Sequence, residues 1–544
     1  MSDNKHFDQL VAAGKPVGEV IAVDRFMIKV RGMQPCNLHA LIMFEDGSKG
    51  YVHHIFDDHM VILHLGTKTV RIGTTCVIQH DALVTKVGKD FVGRVVSVTG
   101  EPLDGKGPIA ADGVLPVFSP APMLYERELL DKPLETGVTI LDTLFALMRG
   151  QRMALLGDGK SGKSTLATQM AINQKNTDIT TVYVLIAKRR TDIDMLISRL
   201  EANDALKKTI VVVSTMSDSL VLSYLAPYVG CAMAEYFWQH LDQDALIIYD
   251  DLTAHAHAYR EMALLTGSSP GRDSYPGDMF YVHSSLLERA GKLNRNHKTL
   301  TSIPMVFAAS GDIAAYLPTN VMSITDGQWI LDMKIFRDTM RPAVNAGLSV
   351  TRVGGRGQTK RQQAQAGQLF KSITAHHTAQ EFARFGSELA PSAQLDLVRG
   401  EFLYKLMNQI PGENYNFKEQ MLMLDVALNF TLEEQIDIGL LKKSARDLAS
   451  KLKDDDSNFD ELRDELKKSS LMAGAHADSK PEEPAAPTDA SAAADTDSNK
   501  KSDDKDKKPE DKEDKKDAKE PKKDEKPEKP AEEKQEEKKS EEPK

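Results

Sequence analysis

The sequence predicts an α/β chain in three folded parts: a small N-terminal β-barrel, a domain built on a largely parallel sheet, and a C-terminal helical domain. Three observations carry this expectation. Short β-branched runs punctuated by Gly, Asp and Asn fill 18–89, apolar runs alternate with helical patterns over 90–361, and helix-forming sequence continues over 362–470. At 544 residues the chain also exceeds the roughly 250 to 300 at which a single core stops growing, so several domains are required.

After a polar leader at 1–17, the runs at 19–23, 60–64 and 69–72 read as barrel strands, because short strands at regular spacing with turn signals between them suit a closed sheet. The segment from Gly93 to Gly100 and the Pro- and Gly-rich stretch to about Pro122 read as a crossover into the second domain. Strand candidates there lie at 153–156, 182–187, 210–213, 245–249 and 305–308. Such near-continuous apolar runs suit strands covered on both faces. In the third part, Thr431-Leu432-Glu433-Glu434 matches a capping box. Beyond Met472 there is no Val, Ile, Leu, Met, Phe, Tyr, Trp or Cys, so 471–544 is expected to be a disordered charged tail, without the apolar area to offset the entropy of ordering.

The formal net charge is −11, of which the tail from Asp478 contributes −6. An acidic balance argues against nucleic acid as a partner. Cys36, Cys76 and Cys231 form neither a CxxC pair nor a disulfide-like framework, and read as thiols in a reducing compartment. No run approaches the roughly 18 uninterrupted apolar residues of a membrane span. A cytoplasmic chain is expected, with any membrane association indirect, through partners.

The residues Gly157-Asp158-Gly159-Lys160-Ser161-Gly162-Lys163-Ser164-Thr165 fit GxxxxGK[ST] between an apolar strand and a helix-forming run. Glycines there let backbone N–H groups and a helix N-terminus wrap closely around phosphates. Lys163 would reach the outer phosphates, and Ser164 would give its hydroxyl to Mg²⁺. Nucleotide binding, ATP or ADP, follows. A second apolar strand ends in Asp250-Asp251, which would place Asp250 beside the loop to hold a Mg²⁺-bound water. His255 and His257, two residues apart, do not share a helix face and make no metal site.

Beyond these two elements, ordered segments across about 18–409 resemble the alpha subunit of F-type ATP synthases. They include Glu135-Thr136-Gly137, Tyr224-Leu225-Ala226-Pro227-Tyr228, Pro270-Gly271-Arg272-Asp273-Ser274-Tyr275-Pro276-Gly277-Asp278, Ser284-Ser285-Leu286-Leu287-Glu288-Arg289-Ala290 and Gly347-Leu348-Ser349-Val350-Thr351-Arg352-Val353-Gly354. The resemblance implies a β-barrel, a RecA-like P-loop nucleotide domain and a helical domain. It further implies beta-type catalytic subunits as partners in a hetero-hexameric ring, a central gamma-type shaft, and attachment to the cytoplasmic face of a membrane through the complex.

Hydrolysis requires a carboxylate to orient the attacking water. In beta-type relatives that Glu follows the strand after the phosphate loop, where this sequence has Lys188 in Ile186-Ala187-Lys188-Arg189-Arg190. A lysine beside two arginines does not serve as that base near neutral pH. Alpha subunits usually carry Gln there, so Lys188 departs from both types. Arg352 matches the family's arginine finger, which acts on the neighbouring site, and Ser349 matches a nearby position important for activity. Gln409 lies where the family contacts adenine, within a diverged Asn408-Gln409-Ile410-Pro411-Gly412.

The short leader, the shorter helical domain and the tail resemble the specialised F-type-like ATPases of mycoplasmas. Two other readings remain open on sequence: an autonomous RecA-like homohexameric ATPase, and a nucleotide-dependent scaffold acting through its tail.

Overall fold

A computed structural model describes residues 2–66, 68–384, 390–429, 435–453 and 455–471. Its N-terminal part is a closed six-stranded barrel in which the neighbours run Val17–Asp24, Met27–Arg31, Met60–His64, Lys49–Ile55, Leu41–Phe44 and Thr75–His80. Val20, Ile28, Val30, Ile42, Phe44, Val52, Ile62 and Ile78 fill it. The run at 69–72, expected as a strand, is a loop. The six strands already close on one another and leave no edge to pair with, so Val70 tucks inward while Ile72 stands 70% exposed. The leader is not irregular either: Ser2–Ala12 is a helix that buries Phe7 against Met43 and Val77 of the barrel.

The central sheet has nine strands. From one edge they run Val350–Thr351, Gly327–Leu331, Ala154–Gly157, Thr299–Phe307, Ala245–Asp250, Thr180–Lys188, Thr209–Thr215 and Val95–Ser97, with Gly291–Lys292 paired antiparallel beside Thr299–Phe307. The seven strands from Gly327–Leu331 to Val95–Ser97 are mutually parallel. The expected crossover at Gly93 to Gly100 therefore contains an edge strand, because Val95 and Val96 bury both of their faces against Thr209–Thr215.

Alternating side chains give the sheet two cores. Leu155, Tyr183, Leu185, Val211, Ile248 and Met305 face the helices Lys163–Asn173 and Arg190–Ala202 and the helical domain. Leu156, Val182, Val184, Val212, Ile247 and Tyr249 face the helices Leu220–Glu235, Leu252–Leu265 and Met279–Leu287. The period-2 alternation of strand side chains imposes this division. The apolar segment Leu220–His240 is long and apolar enough to cross a membrane by length and composition, yet 78% of its apolar window is buried inside this fold, so it is a core element here.

The helical domain comprises Lys360–Arg384, Pro391–Met407, Phe417–Leu428, Ile438–Ala449 and Phe459–Ser470. Phe417–Leu428 runs through its centre, with every residue from Glu419 to Leu428 buried. Asn416 starts that helix with a reciprocal box: its side chain accepts from Glu419 N and Glu419 accepts from Asn416 N, both at 2.9 Å. The box read at Thr431 to Glu434, and the tail beyond Leu471, lie outside the described residues.

Candidate functional site: a phosphate loop closed by an ion-pair clamp

The loop sits at the carboxyl ends of the parallel strands, where open α/β sheets place ligands. The buried strand Ala154–Gly157 delivers it. Gly157 has no room for a side chain, since a Cβ there would lie 2.7 Å from Ser161 Oγ and 3.0 Å from Leu331 O. Gly162, at φ +100°, adopts the left-handed backbone that turns the chain into helix Lys163–Asn173. No side chain caps that helix, so its first N–H groups keep their capacity for an anion.

Residues Gly159, Lys160, Ser161, Gly162, Lys163, Ser164 and Thr165 line one wall of a cleft of about 510 Å³. Asp158 stands behind them, accepting from Gly159 N at 2.6 Å. Lys163 is buried, and its ammonium donates to Gly157 O at 2.7 Å and Asp158 O at 2.8 Å while lying 5.6 Å from the centre of the Phe307 ring. Burial holds its pKa below the ordinary amine value, against the opposing pull of Asp251 and Asp250. These carbonyl contacts are ones that phosphate oxygens can replace.

Lys188, Asp250 and Asp251 also line this cleft. Strands Thr180–Lys188 and Ala245–Asp250 run side by side with Leu185 opposite Asp250, so their carboxyl ends reach the same point. A register shift between Leu185 and Lys188 against Thr209–Thr215 re-aims the end of the first strand. Lys188 Nζ lies 2.6 Å from Asp250 Oδ1 as an ion pair and donates to Asp251 Oδ2 at 3.3 Å. Burial opposes the Lys188 charge, but the two carboxylates outweigh it and hold the ammonium above its ordinary range. Tyr183 donates its hydroxyl to the other Asp250 oxygen at 3.2 Å, and Asp251 Oδ1 caps helix Leu252–Leu265 by accepting from Ala254 N at 2.9 Å.

This arrangement bears on the expected Mg²⁺. Ser164 is exposed at the mouth of the helix and free to turn toward a cation, but Asp250 meets an ammonium on one oxygen and a phenol on the other. A divalent ion seeking Asp250, directly or through water, would arrive where Lys188 already stands. With Lys188 in this position the residues do not fit a metal held by Asp250.

A strand, a phosphate loop and a helix follow in this order, with acidic residues at the end of a strand two places along the sheet, and two family models match the chain. The model of the ATP synthase alpha/beta family, nucleotide-binding domain, matches residues 137–351, and that of the ATP synthase alpha/beta chain, C-terminal domain, matches residues 358–478. The chain belongs to the ATP synthase alpha/beta family. Membership makes it a nucleotide-binding subunit of a rotary ATPase and implies a hexameric ring with other subunits.

Other residues singled out in the sequence fall in different places. Gln409 lines the cleft, but its amide is occupied: Oε1 accepts from Thr139 N at 2.7 Å, and Nε2 donates to Gly137 O at 3.0 Å and Glu413 O at 2.9 Å. It ties the helical domain to the nucleotide domain, with both amide N–H groups spent on backbone carbonyls and one Oε1 lone pair left over. Ser349 is buried with its hydroxyl accepting from Ile330 N at 3.0 Å. Arg352 is exposed just beyond the edge strand, donating through Nη1 to Thr325 O at 3.1 Å. Neither lines the cleft of its own chain.

The structure adds Phe307, Phe336, Arg341 and Pro411 to the cleft. The Arg341 guanidinium lies 3.4 Å from the Phe336 ring centre and donates to Phe336 O and Met340 O. Sequence carried no signal for Phe307, Phe336 and Arg341, which arrive from a strand end, a short helix and a loop, whereas Pro411 falls in the diverged motif beside Gln409. A larger cleft of about 1040 Å³ is lined by Tyr224, Tyr259 and Asp278 among others, and its Arg289 is paired with Glu235.

Proposed function

We propose that this chain is the non-catalytic, alpha-type subunit of a rotary ATPase head. It holds ATP or ADP on the loop at 157–165, alternates with catalytic beta-type subunits in a hetero-hexameric ring around a central gamma-type shaft, and serves ATP hydrolysis or synthesis coupled to rotation. The ring joins the cytoplasmic face of a membrane only through its partners. The observation that carries the reading is the Lys188 clamp. Activation of water needs a carboxylate free to accept a proton or polarise the nucleophile. The only carboxylates lining the cleft among the described residues, Asp250 and Asp251, are both paired with Lys188.

Arg352 supplies the chemistry next door. Its exposure beyond a sheet edge, with one backbone bond, suits a guanidinium offered to a neighbouring subunit, where it would stabilise charge on the transferring phosphoryl group. Ser349 acts as a positioning residue, since its hydroxyl pins the segment that carries Arg352 to the adjacent strand.

The test is reconstitution with the beta-type partner, comparing wild type with Arg352→Ala. Assembly and nucleotide occupancy of this chain stay normal while hydrolysis falls about 10³-fold or more. Unchanged turnover would remove the finger assignment. Steady hydrolysis by this chain alone, abolished by Lys163→Ala, would overturn the non-catalytic reading.

A further inference from the structure

We propose that Lys188 takes the place of the divalent cation, so that this site binds its nucleotide as the metal-free phosphate anion. The inference rests on the nucleotide-site reading above and concerns the form of the ligand. Elsewhere a divalent ion beside a phosphate loop performs two tasks: it neutralises the outer phosphates and links them to a carboxylate at a strand end. Lys188 is placed for both. Its ammonium stands 2.6 Å from Asp250 Oδ1 and 3.3 Å from Asp251 Oδ2, in the wall of the cleft that holds the phosphate loop.

The ammonium also has somewhere to donate. It carries three N–H groups, two of which the carboxylates engage, and its side chain remains 19% exposed in a residue that lines the cleft. Tyr183 steadies Asp250 from behind, which keeps the carboxylate facing Lys188. The cations lining the cleft are Lys160, Lys163, Lys188 and Arg341, against Asp250 and Asp251, so the protein alone presents a net positive wall to a polyphosphate. Adding a divalent ion would set two cations, three positive charges in all, against the same carboxylate at short range, where repulsion is strongest and least screened. No bond is made or broken in this step; it is an exchange of one cation for another.

The experiment is equilibrium binding of ATP to the full-length chain, by calorimetry, in Mg²⁺ and in excess EDTA. Wild type should bind with dissociation constants within about threefold of each other in the two media. Lys188→Gln should lose about tenfold or more in EDTA and recover in Mg²⁺, since the metal can then reach Asp250. Wild-type binding that weakens about tenfold in EDTA would overturn the proposal, as would a Lys188→Gln chain that stays indifferent to metal. A second measurement needs no variant: ATP-loaded wild type, desalted after exposure to Mn²⁺, should retain nucleotide without stoichiometric manganese by electron paramagnetic resonance. Retained manganese in a one-to-one ratio to nucleotide would overturn it. Absence of ATP binding in both media would overturn the nucleotide-site reading together with this one, an outcome distinct from metal-dependent binding.

Discussion

Two cation–carboxylate clusters lie at the parallel sheet, and they differ in what surrounds them. Arg289 is 1% exposed, forms a fork on Glu235 through Nε at 2.8 Å and Nη2 at 2.5 Å, and gives Nη1 to Val117 O at 2.8 Å. Both Glu235 oxygens and the Val117 carbonyl hold it, and almost none of its side chain is exposed. Lys188 holds two carboxylates but opens onto a cleft, with donor capacity to spare. The first cluster locks helix Leu220–Glu235 to the chain beyond Met279–Leu287; the second leaves a charge ready for a ligand. The difference teaches that burial and pairing alone do not mark a functional charge. What marks it is an accessible charge in the cleft that also carries the phosphate loop.

The widest gap between the clusters should appear in stability. Arg289→Leu leaves the buried Glu235 without its partner, and removal of one partner from a buried pair typically costs about 3 to 5 kcal/mol. Chemical denaturation of the variant should show that loss, and the double replacement Arg289→Met with Glu235→Leu should recover much of it. A single variant as stable as wild type would erase the contrast.

A neutral cluster beside the first sharpens it with pH. His255 and His283 are buried, with ring nitrogens 3.3 Å apart, and burial depresses both, His283 from 6.5 to about 4. Each ring therefore binds a proton more readily unfolded than folded. The stability they contribute is complete above about 6.5 and is lost as pH falls toward about 4. The His283 shift alone corresponds to about 3 kcal/mol across that window. Thermal melts from pH 7 to 4 should steepen in wild type and flatten in His283→Gln; parallel curves would contradict the assignment.

Lys163→Ala probes the open cluster from its ligand side. The variant removes a buried cation whose protein partners are two carbonyls, so folding should change little while ATP affinity falls roughly 10²-fold in the titration used for wild type, close to 3 kcal/mol. A comparable loss of folding stability would make Lys163 a structural group.

These clusters also separate what was legible in the sequence from what was not. The phosphate loop was readable because strand, glycines and helix are consecutive, and the three-part architecture because strand and helix periods differ. The run at 69–72 had the composition of a strand but no free edge to join, which only barrel closure decides. Val95–Ser97 was readable as apolar yet gave no hint that it completes a sheet formed far along the chain. Lys188 and Asp250 each stand out in the sequence, one as a missing base and one as an expected metal ligand. Their pairing depends on which strands are neighbours, and it changes the meaning of both. Gln409 shows the converse: its place in the cleft was expected, but its three hydrogen bonds to backbone were not.

The smallest effect is the most discriminating. Lys188→Gln leaves Asp250 and Asp251 side by side without their cation, as Arg289→Leu leaves Glu235, but here Asp251 is 19% exposed and open to water from the cleft. The cost should therefore be only about 1 to 2 kcal/mol, below that of a sealed pair. The two vacated carboxylates and the Ser164 hydroxyl would then suit a hard divalent cation, which oxygen donors bind. Added Mg²⁺ should raise the melting temperature of Lys188→Gln without nucleotide, by mass action on the folded state. Wild type, with its ammonium in place, and Arg289→Leu, with its carboxylate sealed, should not respond. If Mg²⁺ stabilises wild type as much as Lys188→Gln, the clamp does not exclude metal, and the two clusters differ in exposure alone.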